Sequence, residues 1–187
     1  MALRWVELFN MKIFERLDRE ELVDIKQFKV DEDNGCVDAL IKGFEKALAP
    51  DYLWSDGVMG EYLKFESCLP KKYCAKDISL FSLIVKNKFP AHVLNGDFGL
   101  YISSAIASLK QEKVKIFCDD FCPYYLGYNN KDKHIEIYGN AGKYVAEKMG
   151  GGDIYISGDL ESISLDISGG DIYHNGECIL KGGVSLK

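Results

Sequence analysis

A glycine-punctuated repeat in the last third of the chain constrains the fold more than any other feature. Three short alternating segments, each ending in glycine, recur at nearly equal spacing: His134–Gly139, Asp153–Gly158 and Asp171–Gly176. Their terminal glycines lie 19 and 18 residues apart, a repeat length typical of one coil of a β-solenoid. Twelve of the 18 glycines follow residue 126, so the repeat indicates regularly placed tight turns.

Alternation within these segments predicts inward columns of side chains, because residues two apart on a strand share a face. Extending the register backward by 19 from Ile135 predicts a first column of Ile116, Ile135, Ile154 and Ile172. The second column is Cys118, Ile137, Ile156 and His174, and a second sheet stacks Leu126, Val145, Ile163 and Ile179 or Leu180. Four such rungs would share a core and complete one another's backbone hydrogen bonds.

The same register predicts the outer face and the corners. Tyr155 and Tyr173 are expected to stack on neighbouring rungs beside Glu136, which would form a contact strip. The corners are assigned to Gly139–Gly142 and Gly150–Asp153, where glycine tolerates positive φ. The last coil is short, so its terminal rung is expected to need a cap.

Residues 1–90 have a helical pattern. Helices are predicted near Leu3–Leu17 and Val37–Leu48, with a capping box at Asp18–Glu21. The region is rich in aromatic residues, which either pack a core or line a pocket or partner groove. Those residues are Trp5, Phe9, Phe14, Tyr52, Trp54, Tyr62, Phe65, Tyr73 and Phe81.

The remaining residues, 91–187, are predicted to begin with a strand and turn at Ala91–Gly96 and a helix near Gly99–Lys110, followed by the glycine-rich coils. The fold class is therefore α+β. A mainly helical region, 1–90, is joined to a small right-handed parallel β-helix of about four rungs of 18–19 residues.

Composition excludes several classes of protein. The net charge of −6 argues against nucleic-acid binding, which needs clustered basic residues. Only three of the 23 basic residues are arginine, all before residue 20, and the lysine-rich balance fits an AT-rich genome or a thermophile. No apolar run approaches the roughly 20 residues of a membrane span, and no signal peptide is evident. A soluble cytoplasmic protein is expected.

Cofactor and metal chemistry has no clear sequence motif. The six cysteines are irregularly spaced, and the Cys118-x3-Cys122 pair lacks a second pair or a nearby histidine. No metal site and no disulfide framework are expected. No glycine-rich nucleotide loop is present, so no cofactor is expected either.

Three residues are candidates for catalysis, each with an ordinary alternative. Asp97 follows Asn95-Gly96 and could cap the next helix. Asp119, with Asp120, aligns with Tyr138-Gly139 and could form a turn. Cys122 has no base nearby in the sequence that would mark a nucleophile.

The three histidines also have structural interpretations. His134 is interpreted as a solvated strand end, and His92 as lying at a strand start beside Pro90. His174 either caps the last rung through a hydrogen bond or belongs to a polar site at the solenoid end.

The segment Tyr138–Gly158, with its Gly-Asn-Ala-Gly-Lys-Tyr-Val and Met-Gly-Gly-Gly-Asp-Ile stretches, resembles the glycine-rich β-helix family named for the C-terminal domain of the large chain of glutamate synthase. The family also includes one component of formylmethanofuran dehydrogenase and stand-alone archaeal proteins. The resemblance covers about residues 113–183 and implies a right-handed β-helix that supports catalytic neighbours without catalytic residues of its own. After Gly158 the sequence departs from the pattern.

The leading interpretation is a non-catalytic scaffold whose solenoid face or aromatic N-terminal half docks a protein partner. Self-association through an uncovered terminal rung is a further, separate possibility. The alternative is a small-molecule enzyme or sensor with a pocket between the helical half and the β-helix, where Asp97, Asp119, Cys122 and aromatic residues would converge.

Overall fold

The computed structural model describes residues 35–49 and 57–186, which form a mixed α+β fold. Within them the helices are α1 (Gly35–Ala47), α2 (Val58–Ser67), α3 (Ala75–Ile84), α4 (Ala91–Gly96) and α5 (Phe98–Ala107), with a 3-10 turn at Val85–Asn87. The strands are β1 (Lys113–Cys118), β2 (His134–Gly139), β3 (Gly150–Ile156), β4 (Gly169–His174), β5 (Glu177–Lys181) and β6 (Val184–Ser185). None of the described helices has the length and apolar character needed to cross a bilayer.

Helix α1 confirms the helix predicted near Val37–Leu48. Its buried face includes Val37, Leu40, Ile41 and Phe44, which recur at the spacing of an amphipathic helix. The helix predicted near Leu3–Leu17 and the capping box at Asp18–Glu21 lie outside the described residues.

The aromatic residues of the helical region pack a core. Tyr62, Phe65 and Phe81 are each buried, and Tyr73 is partly buried. The ring of Phe44 is central, with the rings of Phe65, Phe81, Phe89, Phe98 and Tyr101 at centroid distances of 4.9 to 6.4 Å. Trp5, Phe9, Phe14, Tyr52 and Trp54 lie outside the described residues.

The strand predicted at Ala91–Gly96 is wrong, because this segment is helix α4. A short apolar run does not distinguish a strand from a buried helical turn by periodicity. Here the carbonyl of Pro90 accepts hydrogen bonds from the amides of Val93 and Leu94, and Leu94 is buried. The helix predicted near Gly99–Lys110 is confirmed as α5.

Strands β1 to β4 pair in parallel and in chain order, and they wind a β-solenoid of about three turns. The column Ile135, Ile154 and Ile172 forms in the predicted register, as does the column Ile137, Ile156 and His174. On the second wall Val145 bridges Ile163 as predicted. Each coil thus buries its branched aliphatic side chains against the next one.

The predicted register of the first coil is wrong by two residues. Val114 pairs with Ile135, Ile116 with Ile137, and Cys118 with Gly139, so the first coil spans 21 residues whereas the next two span 19 and 18. A pleated strand alternates its faces with a period of two, so the slip keeps Ile116 and Cys118 inward but moves each one to the next partner.

Positive φ at the corners is shared between glycine and other residues. Gly139 ends strand β2 with a φ value of 114°. The corner predicted at Gly150–Asp153 is wrong, because this segment opens strand β3, where Gly152 has a φ value of 77° and the pairing with β4 is irregular. Tyr125 and Tyr144, one coil apart, also have φ values of 60°. Their rings stack with centroids 5.1 Å apart and planes at 15°, a contact that offsets part of the strain.

The chain closes both ends of the parallel stack. At the first end the Ser82 hydroxyl of α3 accepts a hydrogen bond from Phe117 N–H (3.0 Å), and the Ser79 hydroxyl donates to the carbonyl of Lys115 (2.8 Å). At the other end β5 and β6 pair antiparallel to β4, with Leu180 opposite Ile172. The expected cap is therefore a hairpin, and Ile179 and Leu180 are not part of the second sheet predicted from the sequence.

Buried side chains on both sides of the proposed boundary between residues 90 and 91 belong to one continuous core. It runs from Val37 in α1 to Leu180 in β5. The helices therefore serve as a layer that covers the start of the solenoid.

Candidate functional site

The outer face of the solenoid carries an ordered line of side chains, here called the tyrosine strip: Glu136, Tyr155 and Tyr173. These residues occupy one register across β2, β3 and β4. The two tyrosine rings stack with centroids 4.4 Å apart and planes at 3°. The prediction that they stack beside Glu136 is confirmed, because strand alternation fixes which side chains point outward.

Charged groups surround the tyrosine strip. Glu136 accepts from Lys113 Nζ at 2.8 Å and from the Tyr138 hydroxyl at 3.2 Å, and it lies 3.2 Å from His134 Nε2. Burial alone would raise the pKa of Glu136, but Lys113 and His134 lower it below its ordinary value. The Glu136 carboxylate therefore stays charged at neutral pH. Asp171 is a second carboxylate beside the tyrosine strip, and it accepts a hydrogen bond from the Tyr173 hydroxyl at 3.4 Å.

A shallow cavity of about 420 Å³ opens beside the tyrosine strip. Its walls include Tyr138 and Ser157 on one side and Tyr155 and Tyr173 on the other. The outer column that begins with the stacked rings of Phe117 and Tyr138 (5.3 Å) thus continues with the small Ser157. The tyrosine strip is therefore bordered by a recess that could receive a side chain from another molecule.

A second cavity, of about 440 Å³, lies between helices α2 and α5 and the loop that leads into β2. We call it the lysine cavity, after Lys133 in its wall; its other lining residues include Tyr62, Leu63, Glu66, Ile106 and Tyr128. The side chain of Lys133 is only 8% exposed.

The catalytic candidates Asp97, Asp119 and Cys122 line neither of these two cavities. Asp119 lies in the turn after β1, where its carbonyl accepts from the side chain of Asn140 (3.2 Å). Asp119 and Asp120 therefore form a turn, as predicted. The register of β1 differs by two residues from the predicted one, so the pair does not align with Tyr138-Gly139.

Asp97 does not cap helix α5. Its backbone is helical, with φ −94° and ψ −29°, and its side chain makes no cap hydrogen bond, since a capping side chain needs an extended backbone. Burial raises the pKa of Asp97, and the nearby Lys64 and His92 oppose that rise. Asp97 is thus a half-buried carboxylate at the junction of α4 and α5.

Cys122 has the electrostatics of an unreactive thiol. Burial raises its pKa, and the carboxylates of Glu161 and Asp159 raise it further, whereas a nucleophilic cysteine needs a lowered pKa. Its backbone N–H donates to Asn95 Oδ1 at 2.9 Å. The six cysteines are free thiols, and no three His, Cys, Asp or Glu side chains of the described residues come together as a metal site requires.

The histidines differ in their surroundings. His174 Nε2 lies 2.8 Å from the carbonyl of Gly158, which matches the interpretation of a hydrogen-bonded cap. His134 is not simply solvated, because its ring packs against Tyr155 with centroids 4.7 Å apart. His92 is exposed on helix α4 and not at a strand start.

Sequence reasoning missed Lys133. Lys131-Asp132-Lys133 has the composition of an exposed loop, but Lys133 is buried and lines a cavity together with residues of α2 and α5, which are distant in the sequence. One signal was present in the spacing, because Gly150–Gly152 follows this tripeptide by one 19-residue coil. A Cβ on Gly152 would lie 2.3 Å from the carbonyl oxygen of Lys133, so that glycine allows the two backbones to touch.

No protein-family model matches the chain, and no curated protein or solved structure matches it at a significant level.

Proposed function

We propose that this protein is a non-catalytic scaffold that docks a partner subunit through the tyrosine strip. The observation that carries the proposal is the strip itself: two coplanar tyrosines held at 4.4 Å beside a charged carboxylate and a recess. Tyrosine is enriched among the residues that dominate protein interfaces, because it presents a large rigid area at small entropic cost. The strip is ordered before any partner arrives.

The partner's docking segment should carry lysine or arginine. Glu136, Asp153 and Asp171 line the strip and the column beside it, and the chain as a whole has a net charge of −6. Complementary charge steers association and sets partner choice. We therefore propose a protein partner whose docking segment is basic and packs against aromatic rings.

The family resemblance supports the same function. The Tyr138–Gly158 stretch that carries the resemblance runs from the end of β2 through strand β3. We propose that the solenoid is a right-handed β-helix of the glutamate synthase C-terminal type, since parallel crossovers are nearly always right-handed. Free cysteines favour a reducing compartment such as the cytoplasm.

The test compares three forms of the full chain as affinity baits in a native-source lysate. The strip variant is the double substitution Tyr155→Ser and Tyr173→Ser. Tyr144→Ser is the matched control, because Tyr144 is also an exposed tyrosine in a stacked pair but lies elsewhere on the solenoid. Each captured protein is then purified, and its affinity for all three forms is measured at low and moderate salt.

A docking partner should bind the wild type and the Tyr144 variant alike and bind the strip variant roughly 30-fold more weakly. Its affinity should also fall as salt rises. A partner that binds all three forms equally, or light scattering that shows only self-association through another face, would refute the assignment of the strip.

A second candidate function is a small-molecule sensor, and the lysine cavity is the observation that favours it. Its volume of about 440 Å³ lies within the range of ligand pockets. It also lies between the helical layer and the solenoid, where a bound molecule would contact both.

A further inference from the structure

Among residues 35–49 and 57–186, Lys133 is the only charged residue that is buried. Removing an ammonium group from water is costly unless the group is paired with an anion or accepted by hydrogen bonds. A chain that keeps a lysine in this position needs a compensating partner for it.

The backbone around Lys133 is held rigidly. The side chain of Asn130, itself 5% exposed, accepts from Lys133 N–H at 3.0 Å and donates to the carbonyl of Lys133 at 2.9 Å. That carbonyl also accepts from Asp153 N–H at 3.1 Å, and Gly152 packs directly on it. The position of Lys133 is therefore built into the coil and does not depend on a flexible loop.

The ammonium group is only partly satisfied by the described residues. Lys133 Nζ lies 3.1 Å from Asp132 Oδ1, and the side chain of Asp132 is 69% exposed. An ammonium has three N–H donors, so this single exposed carboxylate leaves capacity for a further acceptor. Lys133 lines the cavity, and an acceptor could reach it there.

The rest of the lysine cavity is suited to an apolar body. Met59 and Leu63 on α2 are 45% and 53% exposed at its wall. The rings of Tyr62 and Tyr128 lie 5.0 Å apart below them, and burial raises the pKa of Tyr62 to about 12. Tyr62 therefore stays neutral and adds no charge to the cavity wall.

The charges that line the cavity limit the ligand to one negative charge. Lys131 and Lys133 are balanced by Glu66 and Asp132, and both carboxylates are exposed. A dianion would be repelled by these rim carboxylates, and a cation would meet the buried ammonium. A monoanion can pair with Lys133 while its apolar part contacts Met59 and Leu63.

We propose that the lysine cavity binds a small monocarboxylate with an apolar body, whose carboxylate pairs with Lys133 in place of Asp132. The proposal rests on the second candidate function, the small-molecule sensor, and is independent of the tyrosine strip. Asp132 serves as the exchangeable partner that keeps the ammonium compensated when no ligand is bound.

The experiment titrates the full-length protein with hexanoate and 4-phenylbutyrate, and with the neutral amide of each acid. Calorimetry gives the affinity, and thermal unfolding gives the stabilisation expected from a ligand that binds only the native state. The variants are Lys133→Met and Asp132→Asn. Lys143→Met is the control, because it removes an exposed lysine that lies outside the cavity.

Carboxylates should bind the wild type, and the amides should bind at least about 10-fold more weakly, because a hydrogen bond to a charged group is lost. Lys133→Met should weaken carboxylate binding by a similar factor, and Lys143→Met should change it less than about twofold. Asp132→Asn should tighten binding about two- to fivefold, because the competing carboxylate is gone.

Equal binding of acid and amide would overturn the carboxylate assignment while leaving a ligand site and the sensor function in place. Binding of no probe would overturn this inference and remove the support for a sensor, without affecting the docking strip. If Lys133→Met does not fold, Asp132→Asn decides the question, since unchanged or weaker carboxylate binding contradicts the exchange of partners.

Discussion

The helical layer and the β-solenoid build their shares of one core in different ways. In the helical layer a single ring, Phe44, contacts aromatic residues from α2, α3, α5 and the segment after α3. In the solenoid Ile135, Ile154 and Ile172 repeat one side chain in one register. The first core depends on one central residue, whereas the second depends on a repeated backbone spacing.

The largest expected change in stability comes from replacing Phe44, the central residue of the helical layer. Phe44→Ala should lower the free energy of unfolding by about 3–5 kcal/mol, because it leaves a cavity that five surrounding rings cannot fill. Urea unfolding followed by circular dichroism measures this cost. The control Leu165→Ala removes a side chain that is fully exposed and should change stability by less than about 0.5 kcal/mol. A Phe44→Ala cost as small as that of the control would show that the aromatic cluster is not central.

An intermediate effect tests the backbone spacing of the solenoid. Gly152 and Gly176 have similar φ values, 77° and 82°, but a Cβ added at Gly152 would meet the backbone of Lys133, whereas one added at Gly176 would enter open space. Gly176→Ala should cost about 1–2 kcal/mol for the left-handed conformation alone. Gly152→Ala adds a clash with Lys133 and should cost about 1–3 kcal/mol more.

Chemical denaturation of the two glycine variants measures the difference. Equal costs would mean that the coils can move apart without penalty. The stacked backbone would then not be the element that sets the spacing of the solenoid core.

The smallest expected change in stability concerns Glu136, on the outer face of the solenoid. Because the folded-state pKa of Glu136 is lowered, its charged form stabilises the fold above the ordinary glutamate pKa of about 4.3. That stabilisation is lost as pH falls through the lowered pKa. Glu136→Gln should therefore cost about 0.2–1 kcal/mol at pH 7, and this cost should shrink as the pH falls below the ordinary glutamate pKa and through the lowered one.

Unfolding curves at several pH values check this, with Glu45→Gln on the exposed side of α1 as the comparison. A Glu136→Gln cost that does not change with pH would mean that the ion pair with Lys113 is not its cause. The tyrosine strip would then be held by ring packing alone.

The sequence predicted the solenoid best where its period was already regular. The columns from Ile135 onward follow from coils of 19 and 18 residues, but the first coil is longer, and extrapolation placed Ile116 and Cys118 one partner too early. Helix α4 was missed for a different reason. Its six residues are too short to show a period, and packing of Leu94 selects the helix.

The two candidate sites also differ in how far the sequence could predict them. The tyrosine strip could be predicted because strand alternation alone decides that Tyr155 and Tyr173 point outward together. The lysine cavity could not, because its wall combines the loop before β2 with α2 and α5, which are distant in the sequence. The local composition around Lys133 indicates a solvated turn.

The antiparallel hairpin after β4 has a consequence for polymerisation. A solenoid with a bare final strand can template the addition of further chains, as in the growth of cross-β fibres. Here strand β5 occupies that edge, and strand β6, only two residues long, follows it. The hairpin therefore blocks the addition of a further parallel strand to β4 at this end of the described solenoid.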